Sequence, residues 1–323
     1  MFTPEQLTQY AAAREAAAFA PLARSQIRLT GKDRATLLHK FCTQEILSRA
    51  PGQGGEAFIC NVQGKIAGYI YFYVAAESLL LDTSPGLAES LIQHLDRYVI
   101  REDVQFEDLT PTHTTLLVIG PAAASKLSEL TGSAVPPAEL FAHGEAEIAG
   151  VNVSLRQVPF ASDTSYFVDC ERESASQVAA AFHSSGLVQC DAEVVETLRI
   201  ESGAPLYGSD ITLENLPQEI ARDAQTISFK KGCYLGQETV ARIDALGHVN
   251  KLLTRVKLAG DGPLPVGTEL KMAEKVVGRI TSAAWSPAAG CAVALAFVRR
   301  EQCKPGTTLS TAIGAVEVVA TMP

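Results

Sequence analysis

A single cysteine lies in a glycine-rich stretch next to two lysines, a combination that can support thiol chemistry. Cys233 is bracketed by Gly232 and Gly236, and Lys230 and Lys231 precede it. Glycines let the backbone bend sharply, which brings a thiol close to a ligand or partner. A helix beginning near Gly236 would put its positive end beside the thiol, and both that end and the lysines favour thiolate. The alternative is a buried structural cysteine in a tight turn.

The other cysteines and the histidines do not predict a second reactive centre. The seven cysteines are an odd set without a C-x-x-C pair, so neither a disulfide framework nor a dedicated zinc site is indicated. The six histidines are dispersed, and no two have the i, i+4 spacing of helical metal ligands. We therefore expect no metal site and no histidine-based triad.

Length and charge restrict the class of protein. The chain has 323 residues, of which 47% are hydrophobic and 20% charged, which predicts a globular protein of two or three packed units. A net charge of −9 argues against an extended nucleic-acid or anionic-membrane surface. The N-terminus lacks the pattern of a signal peptide, and no apolar run approaches the ~20 residues of a membrane span. We expect a cytoplasmic protein without a membrane partner.

Strand-like and helix-like stretches alternate over the first three-quarters of the chain, which predicts two α+β units in residues 1–245. From about Lys251, short β-rich runs separated by glycine and proline turns predict a small antiparallel barrel in residues 246–323. Within the first region, periodicity and turn residues predict these elements: helices at Arg34–Leu47, Gly86–Val99 and Asp191–Ser202, and strands at Ala57–Val62, Ile66–Val74 and Leu79–Thr83.

Two motifs carry a resemblance to a known family. Residues Lys231–Glu238 read K-G-C-Y-L-G-Q-E and resemble the K-G-C-F/Y-x-G-Q-E signature of YgfZ proteins, a branch of the glycine-cleavage T-protein family. Upstream, Leu198–Ile211 resembles that family's R-x-E-x-G-x-x-x-Y-G-x-D segment. The resemblance implies two ferredoxin-like α/β units plus a C-terminal antiparallel β-barrel, arranged as a three-lobed ring with tetrahydrofolate in the central hole.

The resemblance also implies roles for particular residues. Cys233 and Lys231 are expected to act in the chemistry, and Arg199 to pair with the glutamate carboxylates of folate. The alternative for Arg199 is an ion pair with Glu196 or Glu201. Tyr207 is expected near the cofactor, although a purely structural role stays open.

Three further positions are expected to contact the folate. Asp163 is the nearest substitute for a family glutamate that binds the pterin, with a solvated turn aspartate as the alternative. Asp82 falls where relatives often carry a pterin-binding asparagine. Asn61 begins the turn between two strands that matches the family's N-x-x-G hairpin.

One departure from the family bears on the reaction. The transferases continue this hairpin into a pair of aspartates, one beside the reacting folate nitrogen, whereas this chain has Ala67-Gly68-Tyr69. None of these three side chains supplies a carboxylate to manage charge and protons. Aminomethyl transfer is therefore not the expected activity.

The leading hypothesis is a folate-binding protein that assists assembly or repair of iron–sulfur enzymes, including enzymes that modify tRNA, with those enzymes or assembly proteins as partners. We expect no direct binding of nucleic acid. The alternatives are a folate-dependent one-carbon enzyme, either an aminomethyltransferase or a demethylase, and a folate-independent interaction module.

Overall fold

The computed structural model describes residues 2–133, 135, 139–162, 164–258 and 264–321. The chain opens with helix α1 (Pro4–Glu15), which Thr3 caps through a reciprocal capping box with Gln6. Strand β1 (Ala18–Leu22) follows and pairs with strands that come much later in the sequence. The two α+β units are therefore interleaved, because the first elements of the chain belong to the second unit.

The first unit is a five-stranded sheet covered on one face by two helices. Its core is formed by apolar side chains between those helices and the sheet, with Phe72 and Leu91 among them. The sheet order is β3-β4-β5-β2-β6. The elements are β2 (Ser25–Thr30), α2 (Arg34–Phe41), β3 (Gly54–Cys60), β4 (Ile66–Val74), β5 (Leu79–Thr83), α3 (Ala88–Asp96) and β6 (Gln105–Asp108).

The second unit repeats this plan with a six-stranded sheet of order β11-β1-β7-β10-β9-β8. Its elements are β7 (His113–Ile119), α4 (Ala123–Thr131), β8 (His143–Ile148), β9 (Val151–Val158), β10 (Ser165–Glu171), α5 (Ala175–Ser184) and β11 (Val188–Gln189). Helix α6 (Ala192–Ser202) ends at Gly203, whose φ of 80° is the left-handed conformation that glycine adopts without strain. The short helix α7 (Asp223–Thr226) and helix α8 (Gln237–Leu246) complete the first region.

The last part of the chain closes into a six-stranded antiparallel barrel of order β12-β15-β14-β13-β16-β17. Closure removes free strand edges, and the interior is filled by aliphatic side chains such as Val256, Ile280 and Val298. The strands are β12 (Lys251–Leu258), β13 (Glu269–Met272), β14 (Lys275–Ser286), β15 (Cys291–Arg299), β16 (Thr308–Thr311) and β17 (Gly314–Thr321). The predicted fold class, two ferredoxin-like units plus a barrel, is confirmed.

Strand β4 shows how the two sheets face each other. Its residues alternate, so that Ile70 and Phe72 point to the helices of the first unit. Tyr69, Tyr71 and Tyr73 point the other way into a core shared with the second unit. A row of tyrosines therefore lines the interface between the units.

Helix α2 is shorter than the predicted Arg34–Leu47, because it ends at Phe41 and Cys42 takes up an extended conformation. The chain beyond it is held by tertiary contacts instead. The Thr43 hydroxyl donates to the Thr226 carbonyl at 2.6 Å, and the Ser228 amide donates to the Thr43 carbonyl at 2.9 Å. Contacts with residues far away in sequence decide where this helix stops.

Candidate functional site

Helix α8 begins directly after Gly236, as the motif predicts, and the glycine is needed there. Its φ is 81°, and a Cβ at this position would lie 2.6 Å from the carbonyl oxygen of Asn61. No described atom comes within 4 Å of a Cβ placed on Gly232. The two glycines that bracket Cys233 therefore differ: the second is fixed by backbone geometry and close packing, and the first is not.

The turn between β3 and β4 packs against the start of α8. A Cβ on Gly64 would lie 2.7 Å from Thr239 of α8, so the turn and the helix touch through their glycines. The Asn61 side-chain oxygen accepts the amides of Gln63 and Lys65, both at 3.0 Å. In this structure Asn61 closes the turn that supports the motif.

Lys231 is buried and directed away from solvent. Its ammonium donates to three carbonyl oxygens at the end of α2, those of His39 (2.6 Å), Cys42 (2.8 Å) and Gln44 (2.7 Å). Burial lowers its pKa below the ordinary value. All three ammonium hydrogens have acceptors, so Lys231 holds the motif loop in place. Its predicted role in the chemistry stays a prediction.

The loop is also anchored on the other side of Cys233. Tyr234 is buried, and its ring lies 5.1 Å from the Lys231 ammonium. The Leu235 amide donates to the Lys40 carbonyl at 2.9 Å. Cys233 therefore projects from a short segment that is fixed at both ends.

The cysteines of the chain differ sharply in accessibility. Cys233 is exposed and Cys291 has intermediate exposure, whereas Cys42, Cys60, Cys170, Cys190 and Cys303 are buried. Burial raises the pKa of Cys60 and Cys190 to about 12, which keeps them as inert thiols. The alternative of a buried cysteine at position 233 does not hold.

Arg199 lies on α6 and is fully buried. Its guanidinium donates to Glu196 (2.8 Å), to Asp210 (2.9 Å) and to the Ala204 carbonyl (2.6 Å). Asp210 in turn accepts the hydroxyls of Thr281 and Ser282 on β14, at 2.6 and 2.7 Å. The structure thus shows the ion pair with Glu196 that the sequence left open, within a network that joins α6 to the barrel.

Tyr207 lies between the first unit and the segment after α6. Its hydroxyl donates to the Ile66 carbonyl at 3.3 Å, and its amide donates to the Ser84 hydroxyl at 3.1 Å. The side chain is partly exposed. It joins the start of β4 to the end of β5, close to the tyrosine-lined interface.

The described ranges contain neither a cluster of metal-binding side chains nor a membrane-spanning helix. No group of three or more His, Cys, Asp or Glu side chains in them is arranged to hold a metal ion. In the same part of the chain, no helix combines the length and apolar character needed to cross a membrane.

Comparison with known families places this architecture. Residues 7–231 match the family described as GCVT N-terminal domain, and residues 251–322 match the glycine cleavage T-protein C-terminal barrel domain. The chain belongs to the glycine cleavage T-protein family. The two matches correspond to the paired α+β units and to the closed barrel.

Relatives within the T-protein family are distant in sequence. An aminomethyltransferase of Nostoc sp. is 25% identical over 295 residues, which cover 88% of this chain and 77% of the relative. A putative chloroplastic transferase of Arabidopsis thaliana is 24% identical over 299 residues, covering 92% of this chain and 68% of the relative. The crystal structure of the glycine cleavage system aminomethyltransferase T from Bartonella henselae superposes with a TM-score of 0.87 at 20% identity, covering 98% of this chain and 88% of that one.

Packing and hydrogen bonding restrict the side chains at Gly68 and Tyr69, two of the positions where we expected the family's aspartate pair to be replaced. Gly68 packs under α3, and a Cβ there would lie 2.7 Å from Leu91. Tyr69 lies on the sheet face that points to the second unit. Its hydroxyl donates a hydrogen bond to Glu56 on the neighbouring strand β3. Burial and the Glu56 charge raise the pKa of Tyr69 well above its ordinary value.

Glu56 is a buried carboxylate that sequence analysis did not select. Arg222 donates to both of its oxygens, at 3.2 and 2.7 Å, in addition to the bond from Tyr69. The only signal in the sequence is one charge inside an otherwise apolar strand, since every residue of β3 is buried. Glu56 is thus a buried carboxylate that pairs with Arg222 and bonds to Tyr69.

Asp82 is completely buried at the interface between the units. Its Oδ1 accepts the Arg24 guanidinium at 2.6 Å, and Arg156 of β9 approaches its Oδ2 at 3.8 Å. Burial raises the pKa of Asp82, and the two arginines oppose that rise. Arg24 also lies over the rings of Tyr71, at 5.6 Å, and Phe167, at 5.3 Å.

The predicted site residues thus separate into three places. Cys233, Lys231 and Asn61 lie together at the start of α8. Asp82 lies at the interface between the two sheets, and Tyr207 lies close to it. Arg199 lies on α6, in a network that reaches the barrel. Asp163 lies outside the described residues. Sequence analysis missed Arg24, Arg156 and Arg222, because isolated arginines in a chain give no sign that they will meet buried carboxylates.

Proposed function

We propose that this protein binds a reduced folate, such as tetrahydrofolate, and uses Cys233 to assist the assembly or repair of iron–sulfur enzymes, including those that modify tRNA. The proposal assigns the protein to the YgfZ branch of the T-protein family. The observation that carries the proposal is an exposed thiol on a loop anchored by Lys231 and Leu235. One thiolate cannot ligate a cluster completely, so its contact with a cluster is shared with the client or transient.

The folate is proposed to lie at the interface between the two units, where family membership and the row of tyrosines on β4 support it. Aromatic rings suit a flat pterin, and Asp82 could accept its N–H groups once Arg24 turns away. Tyr207 borders this interface and is the other proposed contact. Seven free cysteines fit a cytoplasmic location, where thiols stay reduced.

The thiol claim is tested by complementation of a deletion strain, with the activity of a cluster-dependent enzyme measured per amount of that enzyme. Deletion should lower this activity, and Cys233→Ser should fail to restore it. Cys291→Ser, which changes the other partly accessible thiol, should restore it as well as wild type does. Full rescue by Cys233→Ser would refute the role of the thiol.

Folate binding is tested by calorimetric titration of the full chain with tetrahydrofolate. We expect one site, weakened about tenfold in Asp82→Asn because a charge-assisted hydrogen bond becomes a neutral one. The exposed carboxylate of Glu89 provides the control variant Glu89→Gln. An absence of binding would favour the folate-independent interaction module.

A second candidate is folate-dependent transfer of a one-carbon group, because relatives named aminomethyltransferase cover most of the chain and Glu56 supplies a buried carboxylate beside Tyr69. An assay for methylene-tetrahydrofolate released from glycine-derived or methylated amines tests it. Turnover above background that disappears in Glu56→Gln would establish this activity over the first.

A further inference from the structure

A small cavity lies where α8 ends and the barrel begins. Its volume is about 180 Å³, and its polar lining comes from Gln218, Asp223, Asp244, His248 and Arg300. Gln218 precedes α7, Asp223 is the first residue of α7, and Asp244 lies in the last turn of α8. Acidic and amide side chains from three elements therefore meet in this cavity, and Cys233 is not among the residues that line it.

Gln218 lines the cavity and has an unpaired side-chain oxygen. Its side-chain nitrogen donates to the Val240 carbonyl at 2.7 Å, and a carbonyl can only accept, so the orientation of the amide is determined. Its Oε1 is buried without a hydrogen-bond partner in the described chain, and the residue is only 6% exposed. A buried amide oxygen left unpaired costs free energy, and a cation or donor in the cavity would remove that cost.

Asp223 presents a second unpaired oxygen. Its Oδ1 is buried and has no hydrogen-bond partner among the described residues. Burial, and then the charge of Asp244, raise the pKa of Asp223 to about 6. Asp223 and Asp244 line the same cavity of about 180 Å³, so their carboxylates share one small space.

The basic groups of the cavity have other partners. Arg300 donates to the Gly247 carbonyl at 2.9 Å, and the His248 ring contacts the Leu246 carbonyl at 3.1 Å. Both therefore sit at the C-terminal end of α8, where helix carbonyls attract positive charge. Within the described ranges, neither forms an ion pair with Asp223 or Asp244.

We propose that this cavity binds a hydrated Mg²⁺ ion, with Asp223, Asp244 and the Oε1 of Gln218 as its oxygen ligands. Mg²⁺ commonly keeps several waters and takes one or two carboxylates from the protein, whereas Ca²⁺ requires six to eight oxygens. Two carboxylates and one amide oxygen fit the first pattern. The proposed ligand set has two carboxylates from separate helices and no histidine, so no spacing rule for metal ligands in the sequence applies to it.

A cation here would link the end of the first region to the barrel, since Leu252 of β12 and Arg300 also line the cavity. Binding to the folded state alone stabilises that state in proportion to the logarithm of ligand concentration. The proposed ion thus stabilises the junction between the two regions. This inference does not depend on folate or on the thiol.

The test is thermal unfolding and calorimetric titration of the folate-free full chain with MgCl₂, against NaCl at matched ionic strength. Wild type should show one saturable Mg²⁺ site and a rise in Tm. Asp223→Asn and Asp244→Asn should each weaken binding at least about tenfold, and Asp96→Asn, an exposed carboxylate on α3, should not. Asp244 is exposed, so its variant should fold even if a change at Asp223 disturbs packing.

Three results would overturn the proposal. These are a Tm in MgCl₂ no higher than in matched NaCl, unchanged Mg²⁺ affinity in both asparagine variants, or tighter binding of Ca²⁺ than of Mg²⁺ in a parallel titration. The folate and complementation experiments would be unaffected by any of them.

Discussion

The two motif segments, Lys231–Glu238 and Leu198–Ile211, hold their candidate functional side chains in opposite environments. Cys233 projects into solvent from a loop that is anchored on both sides, whereas Arg199 is buried and engaged with Glu196, Asp210 and the Ala204 carbonyl. Both segments combine a reactive or charged side chain with nearby glycines that turn the backbone. The comparison teaches that partners and burial, rather than the presence of a charge in a motif, decide whether a side chain is free for chemistry.

The largest expected loss of stability follows from replacing the buried Arg199. Arg199→Met leaves the carboxylate of Asp210 buried without its guanidinium partner, which should lower the free energy of unfolding by about 3–5 kcal/mol in urea denaturation. The double variant Arg199→Met with Asp210→Asn should recover part of that loss. If Arg199→Met changes stability by less than 1 kcal/mol, the network does not join α6 to the barrel as described.

Lys231→Met tests the anchor of the exposed segment. It removes charge-assisted bonds to three carbonyls, so we expect a loss of about 2–3 kcal/mol in the free energy of unfolding. Lys230→Met, at the exposed neighbour, should stay within about 0.5 kcal/mol of wild type. Equal effects of the two variants would mean that the ammonium of Lys231 does not hold the loop.

The two glycines beside Cys233 provide a matched pair. Gly236→Ala forces a side chain into a left-handed backbone and against the Asn61 carbonyl, and should cost about 2 kcal/mol or more. Gly232→Ala meets open space and should cost less than about 1 kcal/mol. Chemical denaturation of both variants measures the two losses in the free energy of unfolding. A larger loss for Gly232→Ala than for Gly236→Ala would contradict the geometry at the start of α8.

The smallest effect on stability is expected at the thiol itself. Cys233→Ser should change the free energy of unfolding by less than about 0.5 kcal/mol, because the side chain is exposed. Mass spectrometry after brief alkylation of the native protein should find Cys233 labelled first and Cys291 second. Labelling of a buried cysteine before Cys233 would contradict the exposure of Cys233, which sets it apart from the buried Arg199.

Much of the fold could be predicted from local pattern. The bounds of β4 and β5 agree with the prediction to the residue, because turn residues bracket strongly apolar runs. The end of α6 at Gly203 likewise follows from a glycine at the left-handed position. The end of α2 did not follow, since Lys231 and Thr226 hold the segment beyond it from far along the chain.

The sequence by itself determined the bounds of β4 and β5, the family, and the start of α8 after Gly236, because these depend on periodicity, turn residues and short motifs. Only the tertiary structure decided that Cys233 is exposed and that Lys231 and Arg199 are buried. It also decided that Glu56 forms an ion pair with Arg222. Such pairings join residues up to 192 positions apart. The free energy of a charged group depends on its burial and on the partners that folding brings to it. Neither can be predicted from its neighbours in the sequence.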